Sequence, residues 1–273
     1  MSINKLHIKK FLKNVKPLDL LLIQGVTNFS TLIMSGSEVM RGNGSFSHCG
    51  LIVNREICEK FLIYEERLTA PYRKNPDELF LMEIIVSPVG DLFEKDKDFS
   101  VGSRIVPLEE IVGEFIRAGC GVAYCALKDN IYENAIKNDD IKTINQIKEV
   151  LFTCYKQYFH KNKTVYDPNI FSLLGTIFPS VRYIRDEIDG AFEFIRDYHP
   201  WLFCSEFVCI AYRDLGILKE DIDVQNYLPI DFVHPGKDNE VYSIVKLPPV
   251  YLKRIDNKSN CLKTIFTYLF KNK

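Results

Sequence analysis

The sequence predicts an α+β domain in which an antiparallel sheet packs against a helix late in the chain. Segments 46–53, 61–68 and 79–86 have the composition of three successive strands separated by short polar turns. Segment 203–215 has the apolar spacing of a helix, and Gly216 follows where a helix end is expected. Because successive strands joined by short connections pair antiparallel, we expect a sheet with this helix on one face.

Composition limits the classes of protein. Of the 273 residues, 47% are hydrophobic and 26% charged, which is typical of a folded globular chain. The 35 basic and 36 acidic residues nearly cancel, so we expect no nucleic acid partner. The eight cysteines are scattered and include no Cys-x-x-Cys pair, which predicts free thiols in a reducing compartment, with no metal and no cofactor. With no secretion signal and no long apolar run, we expect a cytoplasmic protein.

The N-terminal half predicts the sheet. Residues 1–17 form a basic arm, which holds five lysines and no acid and ends at Pro17. Residues 18–25 are a short aliphatic run closed by glycine, which favours a buried strand. After the three strands named above, segments 102–106 and 121–127 predict two more, with a helical pattern between them.

The C-terminal half predicts a helical insertion at about 128–200 within a main domain that spans 18–250. Residues 251–273 form a basic, amphipathic tail. Within it, 262–270 places its apolar residues on one helical side with lysines around them. This pattern predicts either a peripheral membrane contact or docking onto the body of the protein.

Two segments carry the candidate chemistry. His48 begins a strand, and Cys204 lies in the first turn of a helix, where the helix dipole and unpaired N–H groups favour a thiolate. A histidine facing such a cysteine can take its proton, and a third group must orient the imidazole. Glu65, on the next predicted strand, can pair beside His48, and strand alternation turns Glu66 to the other face. The same alternation turns Cys49 into the core.

These segments resemble the circularly permuted branch of the papain-like NlpC superfamily, which includes YiiX-like proteins, poxvirus relatives and, more distantly, lecithin:retinol acyltransferases. The matching segments are Asp19-Leu20-Leu21-Leu22, Ser47-His48-Cys49-Gly50, Tyr64-Glu65-Glu66 and Phe203-Cys204-Ser205-Glu206-Phe207-Val208. The resemblance implies a circularly permuted papain-like fold, in which the histidine precedes the cysteine. Glu66 departs from the small residue common in the family, which leaves the choice between Glu65 and Glu66 open.

The resemblance implies a cysteine hydrolase. We expect Cys204 to attack an amide or ester carbonyl, His48 to act as base and acid, and Glu65 to hold the imidazole. The Cys204 N–H contributes to an oxyanion hole, and Ser47 and Ser205 support the site. The substrate is a peptide amide or a lipid acyl group, and an acyltransferase or a non-catalytic binding protein remain as alternatives. An excess of lysine over arginine and the poxvirus-like resemblance make a viral particle or a host cytoplasm a second expected location.

Overall fold

A six-stranded antiparallel sheet with helices on both faces forms the centre of this mixed α+β protein. The structure is a computed structural model that describes residues 3, 5–26, 30, 33–34, 37–38, 45–64, 78–87, 100–159, 165–166, 201–234 and 240–255. The strand order in the sheet is β4-β3-β2-β1-β5-β8, and every neighbouring pair is antiparallel. The sheet strands are β1 (Leu20–Gln24), β2 (His48–Asn54), β3 (Leu79–Ser87), β4 (Ser100–Pro107), β5 (Gly121–Cys125) and β8 (Val250–Lys253).

The other described elements lie around this sheet. Two short strands, β6 (Val165–Tyr166) and β7 (Trp201–Leu202), form a separate parallel pair. The helices are α1 (Lys5–Leu12), α2 (Arg55–Tyr64), α3 (Leu108–Arg117), α4 (Ile131–Lys137), α5 (Ile141–Cys154), α6 (Cys204–Asp214) and α7 (Glu240–Ser243). A π-helical turn, Tyr155–Phe159, continues α5.

Strand alternation divides the apolar residues between the two faces of the sheet. Leu20 and Leu22 of β1 face the larger core, which contains the buried residues of α2, α5 and α6. Leu21 and Ile23 face the smaller core, which α1 and α3 cover. Both faces are buried, so β1 is an uninterrupted apolar run rather than an alternating one.

Most predicted sheet strands are confirmed, but the predicted strand at 61–68 is wrong as far as the structure describes it. Its residues up to Tyr64 belong to helix α2. This helix begins after Asn54, whose side-chain oxygen accepts a hydrogen bond from the N–H of Ile57 at 3.0 Å. Ile57, Cys58 and Phe61 then share one buried helical face. Residues 65–68 lie outside the described residues.

Where the structure describes them, the two terminal segments are packed against the domain. In α1, Ile8 and Phe11 are buried in the smaller core, so this basic segment is packed against the domain. The predicted tail begins at 251, but Val250–Lys253 is strand β8 at the edge of the sheet. The amphipathic segment 262–270 lies outside the described residues.

The predicted helical insertion contains α4 and α5 in its described part. Asn130 caps α4 by accepting from the N–H groups of Tyr132 and Glu133, and Asp140 caps α5 through the N–H of Thr143. Most of the remainder, 160–164 and 167–200, lies outside the described residues. Among the helices that the structure describes, none has the length and apolarity required to cross a bilayer.

Candidate active site

A chain of three charged side chains crosses strands β2, β3 and β4. His48 is the first residue of β2, and its Nε2 lies 2.5 Å from Oε2 of Glu83 on β3. The other oxygen of this carboxylate, Oε1, accepts a hydrogen bond from Nε of Arg104 on β4 at 2.8 Å. The carboxylate of Glu83 therefore joins the imidazole on one side to a guanidinium on the other.

The register of the sheet brings these residues together. Glu83 and Arg104 are directly paired across β3 and β4. Between β2 and β3 the last paired residues are Leu51 and Met82, so Gly50 and Glu83 stand one position beyond them. Because side chains alternate along a strand, His48 lies on the same face as Gly50. The imidazole reaches diagonally across Gly50, which has no side chain to obstruct it.

Cys204 is the first residue of α6 and brings its sulfur to this group. The imidazole of His48 and the thiol and backbone N–H of Cys49 are the groups that act on this sulfur and stabilise its charged form. Cys204 and His48 are both buried, with exposed fractions of 3% and 8%. The site is therefore a thiol and an imidazole held together in a largely water-free position.

An opening in the sheet explains how one sulfur contacts both Cys49 and His48. The N–H of Ile52 donates to the carbonyl of Asp19 at 3.0 Å, beside β1. Successive N–H groups of a strand alternate in direction, so the N–H of Cys49 points toward β3. Pairing with β3 ends at Leu51, so this N–H is not used in the ladder and acts on the Cys204 sulfur instead. The end of the pairing between β2 and β3 thus allows one sulfur to interact with Cys49 and His48.

The electrostatics favour a charged thiolate and imidazolium. The hydrogen bond from Cys49 and the positive charge of His48 outweigh burial and hold the pKa of Cys204 well below that of an ordinary thiol. Burial alone lowers the pKa of His48, but the Cys204 thiolate and the Glu83 carboxylate together raise it to about 10. Between these two pKa values the pair exists as thiolate and imidazolium.

Glu83 is ionised although its side chain is completely buried. Burial works to raise the pKa of this carboxyl, yet the charge of Arg104 and the hydrogen bond with His48 hold it below its usual value. A permanently charged guanidinium is suited to this task because it cannot lose its proton in a protein. The negative charge of Glu83 then stabilises the protonated imidazole.

The start of α6 supplies a positive electrostatic environment for the thiolate. The N–H of Cys204, at the first helical position, has no acceptor within the helix. Glu206 accepts from the N–H of Phe203 at 3.3 Å and so fixes the entry to the helix. The hydroxyl of Ser205 donates to the carbonyl of Tyr227 at 2.7 Å, which ties the same turn to the following loop.

Ser47 fixes the start of β2. Its hydroxyl accepts from the N–H of Gly25 at 3.0 Å, and its own N–H donates to the carbonyl of Ile23 at 3.0 Å. Ser47 and Ser205 are therefore bonded to backbone groups, and they hold the segments that carry His48 and Cys204. These contacts give each serine an anchoring position next to the site.

The structure brings together His48 and Cys204, as the sequence predicts, but the carboxylate at His48 is that of Glu83. Glu65 and Glu66 lie outside the described residues, and the strand expected to carry Glu65 beside β2 is replaced there by β3. The sequence does carry a signal for Glu83, because it is the single charged residue within the apolar strand Leu79–Ser87. Cys49 is buried as predicted, but its contact with Cys204 was not predicted.

Comparisons with known protein families and with curated proteins add no information about this site. Models of known protein families give no match to the sequence, and curated proteins give no significant similarity. Within the part of the chain that the structure describes, no group of three or more His, Cys, Asp or Glu side chains is arranged to hold a metal ion. The groups described at this site are side chains and backbone groups of the chain itself.

Proposed function

We propose that the protein is a cysteine hydrolase that cleaves an amide or ester bond through an acyl-enzyme on Cys204. The observation that carries this proposal is the series Cys204, His48 and Glu83, in which the imidazole interacts with a cysteine at a helix start and bonds the buried carboxylate. A buried cysteine with a packing role needs no charged partner, whereas a nucleophile needs a base and the base needs an orienting group. All three parts are present.

We further propose that the domain has a circularly permuted papain-like fold. The antiparallel sheet packs against the helix that carries the cysteine, which is the arrangement expected of this fold. His48 lies on a strand that precedes the cysteine helix in the chain, in the order that the sequence resemblance implies. The acid follows on the neighbouring strand, as Glu83 rather than Glu65.

The chemical step begins with the thiolate already formed. The Cys204 sulfur attacks the acyl carbon, and the carbonyl π electrons move to oxygen to give a tetrahedral oxyanion. The N–H of Cys204, free of helix acceptors, is the first donor available to that oxyanion. As the intermediate collapses, the bond to the amine or alcohol breaks, and the imidazolium of His48 gives its proton to this leaving group.

Hydrolysis of the thioester completes the cycle. The neutral imidazole left by the first step removes a proton from water, and the resulting hydroxide attacks the thioester carbon. The carbon–sulfur bond breaks, the acid is released, and the thiolate and imidazolium are restored. Throughout, Glu83 stabilises the imidazolium by its charge and fixes the ring by its bond to Nε2.

Acyl-enzyme trapping tests this proposal with the intact chain. The protein is mixed with a fluorogenic ester, a fluorogenic peptide amide and phospholipid vesicles in turn, then quenched in acid and digested for mass spectrometry. We expect at least one of these substrates to leave an acyl group on Cys204, with turnover that Cys204→Ala abolishes. Cys209→Ala is the matched control, since Cys209 lies on the same helix and is equally buried.

The result that would overturn the proposal is equally specific. Acylation that persists at the same rate in Cys204→Ala, or no acylation of Cys204 by even an activated ester, would exclude an acyl-enzyme at this residue. A comparison of the three substrate types also separates amide cleavage from lipid ester cleavage.

A further inference from the structure

We propose that Arg104 is a positioning residue of this site, which acts through Glu83 to keep His48 protonated and the Cys204 sulfur in its thiolate form. This inference rests on the proposed function, because it assigns a role within the same site. Its effect passes through the carboxylate that it shares with His48.

The geometry divides the two oxygens of Glu83 between two cations. Oε2 takes the imidazole at 2.5 Å, and Oε1 takes Arg104, with Nε at 2.8 Å and Nη2 at 2.6 Å. The side chains of Glu83 and Arg104 are both 0% exposed, so water stabilises neither charge. An arginine with a purely structural role would need a carboxylate as its partner. That carboxylate would not also need to place its second oxygen on the histidine.

Burial makes the state of Glu83 depend on Arg104. A carboxylate that is removed from water without a cationic partner takes up a proton, since the charged form is strongly disfavoured there. A neutral carboxylic acid would lose its electrostatic attraction for the imidazolium, and His48 would then lose its proton more readily. The thiolate would lose its positive partner in turn, so the charge state of Cys204 depends on a residue two strands away.

Arg104 occupies a fixed position in the sheet. It pairs directly with Glu83 in the ladder between β3 and β4. The preceding residue, Ser103, donates to the carbonyl of Tyr158 at 2.7 Å and so anchors β4 to the π-helical turn after α5. The backbone that carries Arg104 is therefore held by pairing with β3 on one side and by this bond on the other.

Several groups act on the His48–Glu83 pair from the elements packed around it. Cys204 faces it from α6, Cys49 from β2, and Arg104 from β4. The ring of Phe115 on α3 lies with its centre 6.4 Å from that of His48 and adds no charge. Among these groups, Arg104 contributes the fixed positive charge.

The test is the pH dependence of Cys204 alkylation by iodoacetamide, read by mass spectrometry in the full chain. The wild type gives the reference midpoint, and Arg104→Met is expected to raise it by about 1 to 2 pH units, because the imidazolium beside the thiolate then loses its proton more readily. Arg104→Lys retains a charge and is expected to recover part of this shift. Arg55→Met is the matched control, because Arg55 is also buried and paired with a glutamate, Glu78, away from the thiol.

A double variant separates action through Glu83 from a general loss of packing. Glu83→Gln alone should raise the midpoint, and the combination with Arg104→Met should raise it no further, because the carboxylate through which Arg104 acts is already absent. A second shift that adds to the first would overturn the proposal. So would a wild-type midpoint in Arg104→Met, and, should the methionine variant fail to fold, a wild-type midpoint in Glu83→Gln.

The proposal and the proposed function fail in distinguishable ways. Alkylation requires no acyl substrate, so a protein that hydrolysed nothing would still report the effect of Arg104. If the wild-type thiol itself titrated like an ordinary cysteine, the thiolate part of the proposal would be wrong, and NMR titration of His48 in Cys204→Ala would test the part that concerns His48. A His48 pKa that falls when Arg104→Met is added supports the proposal, and an unchanged value overturns it.

Discussion

Gly50 and Glu83 approach so closely that a side chain at Gly50 would press against the Cβ of Glu83. A Cβ built on Gly50 would lie 3.1 Å from the Cβ of Glu83 and 2.8 Å from Cδ1 of Leu81. The second distance is shorter than carbon atoms tolerate without movement. The diagonal contact between His48 and Glu83 therefore requires that residue 50 has no side chain.

We predict that Gly50→Ala impairs both the fold and the thiol. The added methyl group must move Leu81 or Glu83, which as overpacking costs about 1 to 3 kcal/mol in the free energy of unfolding. Displacement of Glu83 weakens its bond to His48 and raises the pH midpoint of Cys204 alkylation. Denaturant unfolding and alkylation measure the two effects separately.

Gly113→Ala is the matched control for that substitution. Gly113 lies within α3, and its added Cβ would meet Nη1 of Arg117 at 3.4 Å and Cδ1 of Ile8 at 3.7 Å, which are ordinary contacts. The gain in helix propensity should stabilise the protein by up to about 1 kcal/mol and leave the midpoint unchanged. If Gly50→Ala behaved like Gly113→Ala, the proposed close approach would be wrong.

Cys49 offers a second test of the thiolate. We predict that Cys49→Ala raises the pKa of Cys204, because it removes a donor that stabilises the charged sulfur. Cys49→Ser keeps a donor at the same place and should have a smaller effect. The measurement is again the alkylation midpoint, and equal midpoints for the alanine and serine variants would show that the donor is unimportant.

The rate of amide cleavage should depend on pH at two limits. It rises as Cys204 ionises, well below the pH at which an ordinary thiol does, and falls near pH 10 as His48 loses the proton that the leaving amine needs. Alkylation needs only the thiolate and should not decrease at the alkaline limit. A common alkaline decrease in both rates would point to unfolding instead.

Asp19 gives a prediction for stability. It is buried, and burial outweighs its hydrogen bonds with Lys16 and Leu127 and raises its pKa from 3.8 to about 6. The folded state therefore holds the proton more tightly than the unfolded chain between these values, so stability decreases as pH rises through this window. The loss amounts to at most about 3 kcal/mol.

Asp19→Asn removes this titration, so its free energy of unfolding should change less than that of the wild type between pH 4 and 7. Denaturant unfolding at several pH values measures the difference. Asp140→Asn is the control, because asparagine also caps a helix and Asp140 is exposed. Parallel curves for wild type and Asp19→Asn would contradict the prediction.

The positions of Cys204 and His48 in the fold could be predicted because short segments determine them. Cys204 is followed by a helical apolar pattern, and His48 precedes an apolar strand, so each position in the fold follows from its own neighbours in sequence. The opening between β2 and β3 has no such signature. It depends on where the pairing of two strands stops, and so the contact of Cys49 with the nucleophile could not be predicted.

The sequence predicts Glu65 beside His48, whereas the carboxylate that the structure shows bonded to His48 is that of Glu83, and the difference has a local reason. The aliphatic residues of α2 fit a strand over a few positions. The opposing signal in the sequence is Asn54, which caps the helix. If α2 is taken as a strand, it occupies the place beside β2, and Glu65 then falls where the structure has Glu83 on β3. A single charge in the apolar run of β3 was the clue, because such a residue is rarely buried without a partner.

Because of the order of elements along the chain, the strands that carry His48, Glu83 and Arg104 are synthesised well before the helix that carries Cys204. His48, Glu83 and Arg104 come from strands that are neighbours both in the sheet and in sequence, whereas Cys204 follows only after α3, β5, α4 and α5. Pairing between nearby segments has the lower entropic cost and precedes longer-range docking. A chain that ended before α6 would thus contain His48, Glu83 and Arg104 but lack Cys204. Reactivity of the Cys204 thiol would then require that α6 has been synthesised and has docked on the sheet.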